Sequence, residues 1–191
     1  MIDSLYPIFK RWSKTGSVWI VSDTHFDDAD CKLMSPYWIT PQEHLAILKK
    51  LVHKNDTLIH LGDVGNPKYL DELKCYKVLI TGNHDILSKL RNSFDEIYTG
   101  PLFIADRILL SHEPIWGLES FCLNIHGHDH GGFQWNYDES HDHITHINMA
   151  SNVANYMPIN LGKIIKDGFL ANIPNYHRLT IDYATEHSMK G

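Results

Sequence analysis

Val18-Trp19-Ile20-Val21-Ser22-Asp23-Thr24-His25 decides how this chain is read. Its first four residues are β-branched or aromatic, the short continuous apolar run of a buried strand. The run stops at Ser22, and a carboxylate and an imidazole follow at once, separated by Thr24. In extended backbone, residues two apart share a face, so Asp23 and His25 are expected side by side. Carboxylate oxygen and imidazole nitrogen together suit a hard or borderline divalent cation.

The same order recurs downstream. Thr57-Leu58-Ile59-His60-Leu61 runs into Gly62-Asp63, and Lys77 to Ile80 precedes Gly82-Asn83-His84-Asp85. Arg107 to Leu110 precedes Ser111-His112-Glu113, and Phe121 to Ile125 leads through His126 to Gly127-His128-Asp129-His130. Each block alone has a bland reading: Gly-Asp is usually a turn, and Gly-Asn-His-Asp fits a hairpin or a helix cap. Chance would have to supply every block, each after a strand, and that ordered set carries the metal reading. Asp63 follows a glycine that lets the strand turn sharply, and its two oxygens could bridge two ions. Asn83 offers a neutral amide oxygen, and His112 a further imidazole. His128 and His130 could face one ion together or be divided between two. The candidate ligands Asp23, His25, Asp63, Asn83, His112, His128 and His130 are too many for one tetrahedral ion. They suit two ions sharing a bridge.

Between the blocks, Thr40-Pro41-Gln42-Glu43 starts a helix with Leu45, Leu48, Leu51 and Val52 on one face. Short helices are expected over Pro67–Lys74 and Ile86–Asn92. Strands follow at Glu96–Tyr98, Leu102–Ile104 and His143–Asn148, then a helix over Leu161–Lys166 with Gly168 in a C-cap position. One more strand is expected at Arg178–Ile181. Strand–loop–helix units followed by consecutive strands imply a mixed α/β sheet with helices outside and ligands beyond the strands' carboxyl ends. With no repeat or linker, residues 1–191 read as a single domain.

The composition, 43% apolar and 21% charged, is that of an ordinary globular protein. No apolar run reaches the ~20 residues needed to span a bilayer. Met1 to Lys14 lacks the apolar stretch of a secretory signal. Cys31, Cys75 and Cys122 read as reduced thiols, so a cytoplasmic protein is expected. The net charge of −6 has no basic stripe to set against it, which favours a small substrate over long nucleic acid. Nothing in the sequence fixes the oligomeric state. Histidine is the compositional outlier at 14 residues. Of those outside the blocks, His44, His53, His177 and His187 are expected at the surface, and His60 and His126 on strands near the site. Asp27, Asp28 and Asp30 read as solvated loop charges. Asp138, Glu139, His141, Asp142 and His143 read as an exposed polar hairpin, although on paper they could ligate a further metal.

With these residues in view, the chain resembles the calcineurin-like metallophosphoesterases, in particular small single-domain bacterial and phage members. The blocks of that family, Asp-X-His, Gly-Asp, Gly-Asn-His-Asp/Glu, His and Gly-His-X-His, are all present between Asp23 and His130. Ser22 to Phe26 and, more loosely, Asn155 to Ile159 are similar to such members as well. The resemblance implies a four-layer α-β-β-α sandwich of two mixed β-sheets flanked by helices. It implies that Asp23, His25, Asp63 and His130 hold one ion and that Asp63, Asn83, His112 and His128 hold the other, with His84 catalytic. The chain departs from the pattern at Gly62-Asp63-Val64-Gly65-Asn66, where many relatives carry a second acid in place of Asn66. That argues against the protein serine/threonine phosphatase branch and leaves Asn66 as the loop's candidate hydrogen-bond partner for His84.

The implied reaction is hydrolysis of a phosphate ester with two divalent ions, manganese foremost, with iron, zinc, nickel or cobalt also fitting the donor set. A water shared by two cations has its pKa lowered from ~15.7 towards neutrality. His84 would then donate a hydrogen bond or proton to the phosphoryl or leaving oxygen. A phosphodiesterase acting on a small or nucleotide-like substrate is the first expectation, and a phosphomonoesterase the second. A non-catalytic scaffold is the reading from another class, but scaffolds of this fold usually lose ligands or the histidine, and Asn83 and His84 are both kept. Phe26 and Trp38, with Asn83 and His84, are candidate substrate contacts. Tyr37, Phe133, Trp135 and Tyr137 also adjoin the blocks, as pocket walls or as packing at the sandwich edges.

Overall fold

A computed structural model describes residues 3–4, 16–104 and 107–175. The strands are β1 (Asp3–Ser4), β2 (Val18–Val21), β3 (Thr57–His60), β4 (Tyr76–Ile80), β5 (Glu96–Tyr98) and β6 (Leu102–Ile104). They continue with β7 (Ile108–Leu110), β8 (Leu123–His126), β9 (Trp135–Asp138), β10 (His143–Asn148) and β11 (Ile159–Asn160). One sheet has five strands in the order β11-β2-β3-β4-β5, and the other six in the order β1-β6-β7-β8-β10-β9. Both are mixed, and helices flank them. This is the expected sandwich.

The parallel runs matter for the site. β2, β3, β4 and β5 all point the same way, with Val21 beside His60 and His60 beside Leu79. The blocks after β2, β3 and β4 therefore leave the sheet from one edge. In the other sheet β7, β8 and β10 are parallel, so His112 and Gly127 emerge together.

Burial explains why these strands are so uniformly apolar. Val18, Ile20, Ile59, Leu61, Val78 and Ile80 face Leu102, Ile108, Leu110, Leu123, Ile125 and Ile147 of the other sheet in one core. The alternate residues Val21, Leu58 and Leu79 join Leu45, Leu48 and Val52 in a second core against the helix Pro41–Leu51. A sheet covered on both faces needs apolar residues at every position rather than at every other one. Beyond the six-stranded sheet, Asn124 and His146 bind the backbone of Ile115 (2.8 and 3.1 Å), and Trp116 lies on His146.

The Pro41–Leu51 helix begins as read, with Thr40 and Glu43 capping each other. Pro67–Glu72 is a 3₁₀ helix capped by Asn66, and the expected Ile86–Asn92 helix shortens to Leu87–Leu90. Leu161–Lys166 is helical, with Gly168 at φ 84° just beyond it. The 138–143 stretch turns β9 into β10 as a polar hairpin, with His141 paired to Asp138 at 2.9 Å, but His143 departs from the exposed reading: it is buried, its ring held between the His141 and Glu119 carbonyls. Arg178–Ile181, His177 and His187 lie outside the described residues.

His44 corrects a surface assignment. It is 2% exposed, and it shares the buried helix face with Leu48 four residues on. Its ring packs against Phe26 and Tyr156 at 5.6 and 5.5 Å, and burial lowers its pKa to about 4, so it is neutral.

Candidate metal centre

The blocks meet where the two sheets end side by side. Asp23 N donates to Gly62 O at 2.9 Å, His25 N to Asp63 O at 3.0 Å, and His128 N to Asp23 Oδ2 at 2.9 Å. Gly62 has φ 101°, and a Cβ on it would lie 2.4 Å from Gly82 N and 2.7 Å from His112 Nδ1. A Cβ on Gly82 would lie 2.2 Å from Asp63 Oδ1. These loops are in contact, and only glycine leaves room for the carboxylate between them. Gly82→Ala should therefore displace Asp63: we expect the bound metal, measured by elemental analysis after gel filtration, to fall below half the parent's content.

Two groups form. Asp23, His25 and His130 make one, and Asp63, His112 and His128 the other, with the donor atoms of each within 4.8 Å of one another. His25 Nε2 is 3.9 Å from Asp23 Oδ1, and His130 Nε2 is 3.6 Å from the same oxygen. Asp63 Oδ2 lies 3.7 Å from His25 Nε2 and 3.4 Å from His112 Nε2, so one carboxylate oxygen stands between the groups. Asn83 Oδ1 lies 2.8 Å from His112 Nε2 and 3.1 Å from His128 Nδ1. Every sequence-derived candidate ligand is thus at one place, and the Gly-His-X-His pair is divided, His130 to the first group and His128 to the second.

The donor set fits a cation. Asp23 Oδ1 and His25 Nε2 are buried without a hydrogen-bond partner, and a buried orphan of this kind is costly. A positive ion between them would satisfy both. The ring nitrogens facing away are already held: His25 Nδ1 by Asp28 Oδ2 at 3.0 Å, His112 Nδ1 by the Leu61 carbonyl at 2.8 Å, and His130 Nδ1 by Asn152 Oδ1 at 2.8 Å. In each case the tautomer that donates outward leaves Nε2 with its lone pair turned in. Burial raises the Asp23 carboxyl above its ordinary value. Burial also pushes Asp63 up, but the hydrogen bond and charge of His112 outweigh it and bring the carboxyl down to about 2. Burial lowers His112, yet Asp63 and Asp23 override it and lift the imidazole to about 9.

The local geometry differs from the period-two expectation. Asp23, His25, Asp63 and His128 have φ of 52°, 41°, 55° and 65°. They meet through left-handed backbone rather than through strand alternation, because the chain must turn sharply as it leaves each buried sheet. Asp and His accept this region more readily than most residues.

Other expectations divide. Phe26 borders the groove beside His25 and His84 but is 2% exposed, its ring tilted onto Tyr69 at 5.0 Å in the core against the helix. Its apolar bulk is drawn into the helix–sheet interface. Trp38 lies beside the first group, 5.9 Å from the His25 ring and 5.6 Å from that of His130, although it is 6% exposed. His84 is exposed with its ring 5.7 Å from His25, while its backbone N donates to Asp63 Oδ1 at 2.9 Å. Asn66 does not serve His84, because its amide donates to Asp27 at 2.7 Å and its oxygen caps Lys68 N. Asp27 is an exposed loop charge as expected, although it accepts from Asn66, whereas half-buried Asp28 pairs with His25 Nδ1 instead of standing in solvent. His60 is buried on β3, its Nδ1 accepting Gly62 N at 3.1 Å beneath the Asp63 turn. Asp28 and Asn152 were missed as partners of the cage. The first carried a faint signal, an acid three residues after His25. The second carried none.

Two mixed sheets that bring paired carboxylate–imidazole groups to one rim define an α/β metal-binding sandwich. The chain belongs to the calcineurin-like phosphoesterase superfamily, whose domain it matches over residues 17–167. Membership implies metal-dependent hydrolysis of phosphoesters. An uncharacterised protein of Methanocaldococcus jannaschii is 30% identical over 171 residues, covering 78% of this chain and 89% of that one. A solved structure of a protein of unknown function from Aquifex aeolicus is also 30% identical, with a TM-score of 0.63, covering 78% of this chain and 98% of that one. Among the described residues, no helix is long and apolar enough to cross a membrane.

Proposed function

We propose that this protein is a phosphodiesterase for small or nucleotide-like substrates, working with two divalent ions, manganese foremost. Asp23, His25, Asp63 and His130 are the ligands of one ion and Asp63, Asn83, His112 and His128 those of the other. The observation that carries the reading is Asp63 Oδ2 standing between His25 and His112, with Asn83 and exposed His84 beside it at the mouth. Bound there, the ions would supply an activated water and offset charge on the phosphoryl oxygens.

The chain's own groups do the remainder. The backbone N–H of His84 fixes Asp63 Oδ1 and so aims the other oxygen into the cage. That same bond anchors His84, whose ring reaches solvent at the mouth and would donate to a phosphoryl oxygen or the leaving alkoxide. Preference for a diester rests on the surroundings. A groove of about 420 Å³ lined by His84, Asn66, Ile86 and Lys89 lies on one side, and another of about 380 Å³ lined by Asn83, Thr99, Pro101 and Ile115 on the other. A diester has an organic arm for each. Lys89 is the only Lys or Arg among these lining residues, so the basic cluster that favours a dianionic monoester is missing from both. Buried, free Cys31, Cys75 and Cys122 support a reducing, cytoplasmic setting.

The test compares manganese-loaded protein on bis(p-nitrophenyl) phosphate and p-nitrophenyl phosphate, then on cyclic nucleotides. We expect kcat/KM for the diester to exceed that for the monoester by about tenfold or more, a difference of roughly 1.4 kcal/mol. A monoester preference reverses the assignment. Inactivity on all substrates with both ions bound supports a scaffold instead.

A further inference from the structure

Three carboxylates line the groove beside His25 and His84, and two are already committed. Asp27 accepts from Asn66 Nδ2 at 2.7 Å and from the Tyr69 hydroxyl at 3.0 Å. Asp85 accepts three backbone amides, those of Asp63, Val64 and Gly82, at 2.9 to 3.0 Å. Asp28 differs. Its Oδ1 accepts Asp30 N at 2.9 Å, while its Oδ2 faces His25 Nδ1 at 3.0 Å. A tight turn, Asp28 N to His25 O at 3.0 Å, makes the pairing local and short.

We infer that Asp28 is a positioning residue for the first ion: its carboxylate holds the His25 ring in the tautomer and orientation that turn Nε2 between Asp23 and Asp63. The inference rests on the metal reading above. A carboxylate behind an imidazole fixes the ring and makes its inner nitrogen a stronger donor. His112 leans on the neutral Leu61 carbonyl and His130 on the neutral Asn152 amide, so charge backs His25 alone among these three. The effect is therefore specific to one ion. It also gives Asp28 a role that the loop carrying Asn66 does not fill, a carboxylate placed against the site's histidines.

The competing role for Asp28 is structural, closing the turn through Asp30 N. Asp28→Asn separates the two, because its amide oxygen can still accept Asp30 N while the charge is gone. Asp28→Ala removes both. The metal-free full chain is titrated with manganese, free Mn²⁺ being read by electron paramagnetic resonance. The titration is repeated in a His128→Ala background, where the first ion is measured by itself. Asp28→Asn should weaken the first ion roughly 10–100-fold while holding the second within about threefold. The thermal midpoint of the metal-free protein should match the parent's. Parent-like binding of both ions by Asp28→Asn, or equal weakening of both, overturns the inference. A parent that takes up no manganese overturns it too, and is told apart because the metal reading goes with it.

Discussion

Asp63→Ala should lose both ions and at least about 10³ in turnover, the scale on which two-cation stabilisation of a phosphoryl transition state operates. Most single ligands serve one group, but Asp63 Oδ2 lies within 3.7 Å of His25 and 3.4 Å of His112, in different groups. Its other oxygen holds His84 N, so the substitution also frees the loop that carries the histidine proposed as the proton donor. Asp63→Asn keeps an acceptor for that amide and removes the charge, which separates the two contributions. Equilibrium dialysis against manganese reads the result. If the alanine variant still retains two ions per chain, Asp63 is not a bridge and the geometry has been misassigned.

The second large effect is the opposite in kind. His84→Ala should keep both ions and lose about 10²–10⁴ in kcat, the range for removing a positioned proton donor. His84 touches neither group through a ligand atom; its ring is exposed at the mouth, and what it gives the cage is a backbone N–H that alanine also provides. Metal content should therefore match the parent's, and KM should change less than kcat. Turnover equal to the parent's would remove His84 from the chemistry.

How much of this was legible depended on how local the cause was. Strands β2, β3 and β4 were readable because residues buried on both faces must all be apolar, and that leaves an unmistakable run. The candidate ligands were readable because each stands just after such a run, and parallel strands deliver their ends to one edge. Other features depended on packing between distant segments. Phe26 looks like a free aromatic beside the motif, but it is drawn inward by Tyr69 and His44. His44 looks like a polar helix residue until its four-residue spacing from Leu48 is given weight. Asn152 reaches His130 from a turn beyond β10, and no pattern in either segment announces the other. The spacing of Asp23 and His25 pointed to the right neighbours for the wrong reason, since alternation plays no part in how they meet.

Left-handed backbone at Asp23, His25, Asp63 and His128 has a consequence for the protein as a whole. Each such residue sits about 1 kcal/mol or somewhat more above its relaxed conformation, and all four are gathered at one edge of the β sandwich. Local preference and global architecture disagree along that edge, Asp27 at φ 61° included, a concentrated frustration of the kind that marks regions shaped for chemistry rather than for robustness. The apolar interior must over-determine that edge to hold it in place. A cage held under this compulsion would be poised to take up a divalent cation without first having to fold around it.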